Sequence, residues 1–247
     1  PAYLAQELSV VLSPWPLLRE RWRSGVLAVW GRLVGRVLGL RVTYHGTPPA
    51  APFLLIANHL SYADVLLLGG LTGGTFVAKA EIRGWPVAGR VCHASGVVFV
   101  DRDSKRDLLR VGQIVDEVLR CGRGVILFAE GTTSVGRHVL PLRPSLLEGA
   151  ARAELPVHYA TITYRVPAGC EPAARSVCWV GDESLVSQAP RFLALPRVEA
   201  VVRFGEEPIV ERDRKLLARR LHAAMSEIFE PTTSTPEPPG EEPREEG

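Results

Sequence analysis

The chain has 247 residues, 46% of them apolar and 23% charged, proportions that exclude a disordered polymer or a fibrous repeat and suit one compact domain. The net charge of +2 joins two unlike parts: residues 231–247 carry five Glu against Arg244, a net of −4, which leaves +6 on residues 1–230. Cys92, Cys121, Cys170 and Cys178 are widely spaced without a CxxC pair, and His45, His93, His138, His158 and His222 form no ligand-spaced cluster, so no metal and no redox motif is expected.

The first predicted element is a helix within residues 15–40, which sets Trp15, Trp22, Leu27, Trp30, Leu33 and Val37 beside five arginines and a single acidic residue, Glu20. Such a segment suits either a helix lying among lipid headgroups or one packed on its own domain; Gly31, Gly35 and Gly39 favour the packed arrangement. No basic n-region precedes Arg19, so a secretory leader is not expected in these residues. The longest run free of Asp, Glu, Lys and Arg, Val42 to Ala63, contains three prolines, His45, Asn58 and His59 and is no membrane span.

From residue 52 short apolar runs alternate with helical periods. Strands are predicted at 53–57, 75–79, 96–100, 124–128, 156–164, 176–181 and 198–204. Helices are predicted near 62–70, at 105–121 with Ser104 and Asp107 as a capping box and Gly122 at its end, and near 145–153 and 211–229. This alternation implies an α/β fold with a mainly parallel central sheet of about seven strands flanked by helices. The tail from Pro231 has five prolines and no aliphatic or aromatic residue, and is expected to be disordered.

Four reactive side chains share one topological place. His59, Lys79, Arg102 and Glu130 each close or follow a predicted strand, and ligands of an open parallel sheet bind outside the carboxyl ends of its strands. In Asn58-His59-Leu60-Ser61-Tyr62-Ala63-Asp64, a helix starting near Ser61 puts Asp64 in its first turn, from which the carboxylate can reach back to His59. A carboxylate on one ring nitrogen fixes the tautomer and raises the basicity of the other. Ser61 and Asp64 also read as a plain capping box, and the two readings are compatible. No GxSxG and no Cys beside His59 offers a nucleophile, which leaves a His that deprotonates a hydroxyl brought by the substrate. Phe128-Ala129-Glu130-Gly131-Thr132-Thr133-Ser134 runs a strand into a turn that either exposes amides to an anion or simply ends the strand.

These residues resemble the motifs of the glycerolipid acyltransferases typified by 1-acylglycerol-3-phosphate acyltransferase. Asn58-His59 with Asp64 is similar to NHxxxxD, and Phe128 with Glu130-Gly131-Thr132 to FPEGT. Between them Lys79, Pro86, Gly89, Gly96 and Arg102 keep the spacing of a third block, and Leu155-Pro156-Val157 resembles a fourth, proline-containing motif. The resemblance implies a glycerol-3-phosphate acyltransferase-like fold and transfer of a fatty acyl group from acyl-CoA or acyl carrier protein to a lysolipid hydroxyl, without cofactor or metal. It makes His59 the base and Asp64 its orienting partner. Lys79 and Arg102 become the acceptor-phosphate contacts, and Glu130, Gly131 and Thr132 shape the acceptor site. It also implies peripheral attachment at the cytoplasmic face of a membrane through residues 1–44, followed by a catalytic domain at 45–230 and the tail at 231–247.

Two departures bear on the acceptor. Thr133 stands where the family commonly has Arg, and Leu142-Arg143 where it commonly has Phe-Lys. Loss of that Arg removes a phosphate contact and opens the acceptor to a different lysophospholipid or a phosphate-free one; the first expectation stays phosphatidate synthesis from 1-acyl-sn-glycerol-3-phosphate, acylation of a lyso-ornithine lipid is the alternative, and a membrane-surface thioesterase a weaker third. A nucleic-acid role is not expected, because no recognition motif accompanies the basic body.

Overall fold

The computed structural model describes residues 16–80, 84, 89, 97–100, 105–179, 181 and 185–232. In chain order these form α1 (Pro16–Val37), β1 (Leu40–His45), β2 (Leu54–Ala57), α2 (Ala63–Thr72), β3 (Thr75–Lys79), β4 (Val98–Val100), α3 (Lys105–Arg120) and β5 (Val125–Leu127). A 3₁₀ turn (Pro144–Leu147) leads into α4 (Glu148–Arg152), β6 (Val157–Arg165), α5 (Ala173–Ser176), α6 (Leu185–Leu193), β7 (Val198–Phe204) and α7 (Arg214–Ile228).

The strands make one seven-stranded sheet in the order β1-β7-β6-β2-β5-β3-β4. The five strands from β6 to β4 run parallel, so their carboxyl ends share one edge; β7 is antiparallel to β6 and parallel to β1. Both faces are covered, which is why the central strands read as unbroken apolar runs rather than alternating ones. Phe53, Leu55, Ala57, Ile126 and Phe128 turn to the layer holding α2, with Leu27 of α1, Ala173 of α5 and Phe192 of α6. Leu54, Ile56, Val125 and Leu127 turn to the opposite layer, where Val115, Leu147, Ala150, Leu217 and Leu221 close the second core.

Two expected elements differ. The described residues of 176–181 form no strand: Ala173–Ser176 is a short helix, and the carbonyls of Val177 and Cys178 accept from the buried Gln188 side chain instead of from a sheet neighbour. Conversely, β1 was not expected: Leu40, Val42 and Tyr44 do alternate with Arg41, Thr43 and His45, but the run is short and five of its six residues are exposed at the sheet edge. It straddles the expected boundary at residue 44 and joins the sheet through β7. Helix α6, with Pro190 inside it, was not expected either.

Helix α1 is apolar on two sides. Inwardly, Leu27 is buried, and Gly31 lies so close to α2 that a Cβ there would stand 2.4 Å from the Leu66 carbonyl oxygen and 3.0 Å from the Gly70 amide. Small residues permit this approach of two helix backbones. Outwardly, Leu18, Val29, Leu33 and Val37 form an exposed row, with Val37 at 85% of its full accessibility. Arg32 and Arg36 are exposed beside that row. Among the described residues no helix is long and apolar enough to cross a membrane.

Candidate active site

The loop between β2 and α2 is held at every backbone position that matters for aiming His59. At its start, the Asn58 side chain is buried and imitates a strand residue: its Nδ2 donates to the Ile162 carbonyl at 3.0 Å while its Oδ1 accepts from the Ile162 amide at 2.7 Å. The His59 amide donates to Glu130 Oε2 at 3.0 Å, and the His59 carbonyl accepts from the Ser134 amide at 3.0 Å. The Leu60 carbonyl accepts from the Trp179 amide at 2.7 Å, so the segment expected as a strand instead braces this loop. The Tyr62 ring lies against that of Trp179.

Asp64, in the first turn of α2, is completely buried. Its Oδ2 lies 2.7 Å from His59 Nδ1 and accepts from the amides of Leu60 at 2.7 Å and Ser61 at 2.9 Å. Its Oδ1 accepts from the Tyr164 hydroxyl at 2.6 Å. One carboxylate therefore holds the imidazole and fastens the two amides that precede α2; the expected capping box is not completed, because Ser61 Oγ accepts from the Ala63 amide and the Asp64 amide donates to the Ser61 carbonyl. Because Nδ1 faces the carboxylate it carries the ring proton, which leaves Nε2 as the basic nitrogen. The imidazole is 18% exposed and lies flat on Phe128, with ring centroids 4.0 Å apart and planes 8° from parallel. Phe76 stands behind Phe128 at 5.9 Å. Phe128 thus fixes the ring plane and Asp64 fixes the rotation within that plane.

Glu130 is the second buried carboxylate. It accepts from the His59 amide through Oε2 and from the Leu140 amide at 2.9 Å through Oε1. Burial pushes its pKa up to about 7, against the two amides, which lower it, and with a further rise from the charge of Asp64. Gly131 adopts φ +75°, a conformation natural to glycine, and a Cβ there would stand 2.6 Å from Nε of Arg143. The bare glycine thereby lets the Arg143 side chain cross the turn. Thr132 is exposed beside it.

The parallel sheet brings His59, the end of β3 at Lys79, the end of β4 at Val100 and Glu130 to the same edge, as the strand positions implied. Arg102 and the side chain of Lys79 lie outside the described residues, as do Pro86 and Gly96. Tyr164, the stacking of Phe128 and the crossing of Arg143 over Gly131 were not read from the sequence. Tyr164 carried no local signal, since it lies one hundred residues from Asp64.

Residues 41–165 match the family described as Acyltransferase. The chain is 32% identical over 241 residues to a protein of Brucella abortus named lyso-ornithine lipid O-acyltransferase, with 90% of each chain covered. It is 31% identical to a Neisseria gonorrhoeae protein named 1-acyl-sn-glycerol-3-phosphate acyltransferase, over 66% of this chain and 64% of that one. The fold is similar to the crystal structure of the 1-acyl-sn-glycerophosphate acyltransferase PlsC from Thermotoga maritima, with a TM-score of 0.61 at 21% identity, covering 85% of this chain and 81% of that one. The similarity spans both the sheet that gathers these residues and the His–Asp loop itself, and the chain belongs to the acyltransferase family.

Proposed function

We propose that this chain is a lysolipid O-acyltransferase in which His59 removes the proton from the acceptor hydroxyl. The observation that carries this reading is the buried Asp64 carboxylate on His59 Nδ1, which leaves Nε2 to take that proton. The acceptor oxygen attacks the carbonyl carbon of an acyl thioester as its proton passes to Nε2. Collapse of the tetrahedral intermediate then breaks the carbon–sulfur bond, and the imidazolium returns its proton to the thiolate of coenzyme A or acyl carrier protein. Asp64 stabilises the imidazolium between these two transfers.

Two acceptors are supported. A phosphate-bearing acceptor such as 1-acyl-sn-glycerol-3-phosphate suits Arg143 where it crosses the Gly131 turn, and the cations Lys79 and Arg102 that the motif resemblance assigns to it. A lyso-ornithine lipid suits Thr133, and the Brucella abortus relative that matches along 90% of its length bears that name. A panel of the two acceptors against acyl-CoA and acyl carrier protein, run on wild type and His59→Ala, tests the whole reading. Acyl ester should form with one acceptor, and His59→Ala should lose about 10³-fold or more in kcat. Equal turnover by His59→Ala would sink the base assignment, whereas fatty acid release indifferent to added lysolipid would make the protein a thioesterase.

The exposed row on α1 supports attachment to a membrane surface. Leu33 and Val37 would enter the headgroup region, while Arg32 and Arg36 attract anionic lipid, each worth about 1 kcal/mol near the surface.

A further inference from the structure

We propose that Tyr164 is a positioning residue that sets the basicity of His59, as the outer member of a buried hydrogen-bond chain His59–Asp64–Tyr164. This rests on the reading of His59 as the base. The phenol stands on β6, on the sheet face that carries Ala160 and Ile162, and its surroundings are apolar: Phe204, Val177 and Cys178 belong to the same core. Packing there calls for an aromatic ring but not for a hydroxyl, and a buried hydroxyl without a partner is costly. The hydroxyl finds its partner in Asp64 Oδ1, at 2.6 Å.

The direction of that hydrogen bond matters. Burial first, then the charge of Asp64, hold the Tyr164 pKa well above the ordinary phenol value, so the phenol stays protonated and donates. Among the described residues, the other titratable groups coupled to this pair are Glu130, on the His59 amide, and Cys178, whose thiol is kept protonated by burial and by the Asp64 charge. Donation from Tyr164 draws negative charge toward Oδ1 and away from Oδ2, the oxygen that serves Nδ1. The imidazolium is then stabilised less than it would be by an undiluted carboxylate. Tyr164 therefore keeps His59 from holding a proton too firmly, which leaves more of the ring in the unprotonated form that the first transfer needs.

The backbone of Tyr164 is itself held by the segment that follows α7. The Tyr164 amide lies 3.4 Å from Thr232 Oγ1, and the Thr232 amide donates to the Gly136 carbonyl at 2.7 Å. Upstream, the carbonyls of Ile228 and Glu230 accept from Thr161 and Thr163 of β6, and the Glu230 carboxylate pairs with Arg165 and Arg203. Residues 228–232 are thus a strap that ties β6 to the loop beyond Gly131.

The test is the pH dependence of the full chain. In Tyr164→Phe the acid limb of kcat/KM should move to higher pH by about one unit, so that the rate falls about tenfold at pH values on that limb and recovers above it, the scale of one hydrogen bond to a charged group. Titration of the His59 ring by ¹⁵N NMR should show the same upward move, which separates it from titration of Glu130. Replacing the tyrosines with 3-fluorotyrosine, a more acidic and stronger donor, should move the His59 titration the opposite way without removing a contact, and should have no such effect in the Tyr164→Phe background. Unmoved titration in both variants, with His59→Ala inactive, would overturn the role of Tyr164 while leaving the base intact; full activity of His59→Ala would overturn the base itself.

Discussion

Two buried carboxylates approach the same histidine from different elements, and their surroundings give them different work. Asp64, in the first turn of α2, meets donors on both oxygens: an imidazole and two amides on one, a phenol on the other. Glu130, in the turn after β5, meets two amides and no cation among the contacts described for it, and burial raises its pKa to about 7. One carboxylate touches the ring and supports its charge; the other touches only the backbone beneath it. A buried carboxyl group serves as an electrostatic partner where the surroundings supply enough donors for the ion, and as a backbone fastener where they supply only two.

The largest break in this comparison is Asp64→Asn. The amide preserves the shape of the site but removes the charge that supports imidazolium, and kcat should fall by about 10³-fold in a steady-state acyl-transfer assay. Next is Glu130→Gln, which offers one acceptor oxygen where the His59 and Leu140 amides both donate. The misplaced donor should lower stability by about 1–3 kcal/mol and kcat by about tenfold, with a melting curve and a kcat measurement as the checks.

The pH dependence of folding sharpens the contrast. The Glu130 pKa is raised in the folded chain from 4.5 to about 7. Its contribution to stability is therefore fully present below the unfolded value and is lost as pH rises through about 7, a change on the order of 3 kcal/mol. Urea unfolding of wild type and Glu130→Gln at intervals from pH 4.5 to 8 should show wild type losing stability relative to the variant across that window. A difference that stays constant would mean that Glu130 is not protonated in the folded chain.

The smallest effect on turnover is expected far from both carboxylates. Leu33→Asp with Val37→Asp removes apolar surface from the outer row of α1. Sedimentation with anionic vesicles should fall about tenfold or more, and turnover of a short-chain acceptor dispersed without vesicles should be unchanged.

The site was legible to different depths at its different residues. His59, Asp64 and Glu130 could be singled out because each sits next to a strand end or a helix start within one short segment, where spacing speaks directly about geometry. That Glu130 binds the His59 amide could not be read, because the contact joins residues 71 positions apart across adjacent strands. Tyr164 looked like one more apolar strand residue. In the fold, six of the seven observed strands were placed from apolar, β-branched or aromatic runs, while edge strand β1, with Arg41, Thr43 and His45 interleaved and five of six residues exposed, was not. Residues 176–181 had the composition of a strand, but Gln188 satisfies the carbonyls of Val177 and Cys178 and no sheet position is needed.

The sequence by itself determined the α/β class, the parallel core and the identity of the pair His59 and Asp64, because hydrophobic periodicity and short-range spacing are local quantities. Only the tertiary structure decided which oxygen of Asp64 faces the imidazole, that Phe128 sets the ring plane, that Tyr164 completes the carboxylate, and that α1 buries one apolar side while exposing another. Each of these depends on a chain reversal that brings distant residues within hydrogen-bond or van der Waals reach. The apparent net charge of +2 belongs to the first kind of knowledge; where Arg32, Arg36 and Arg143 stand on the folded surface belongs to the second.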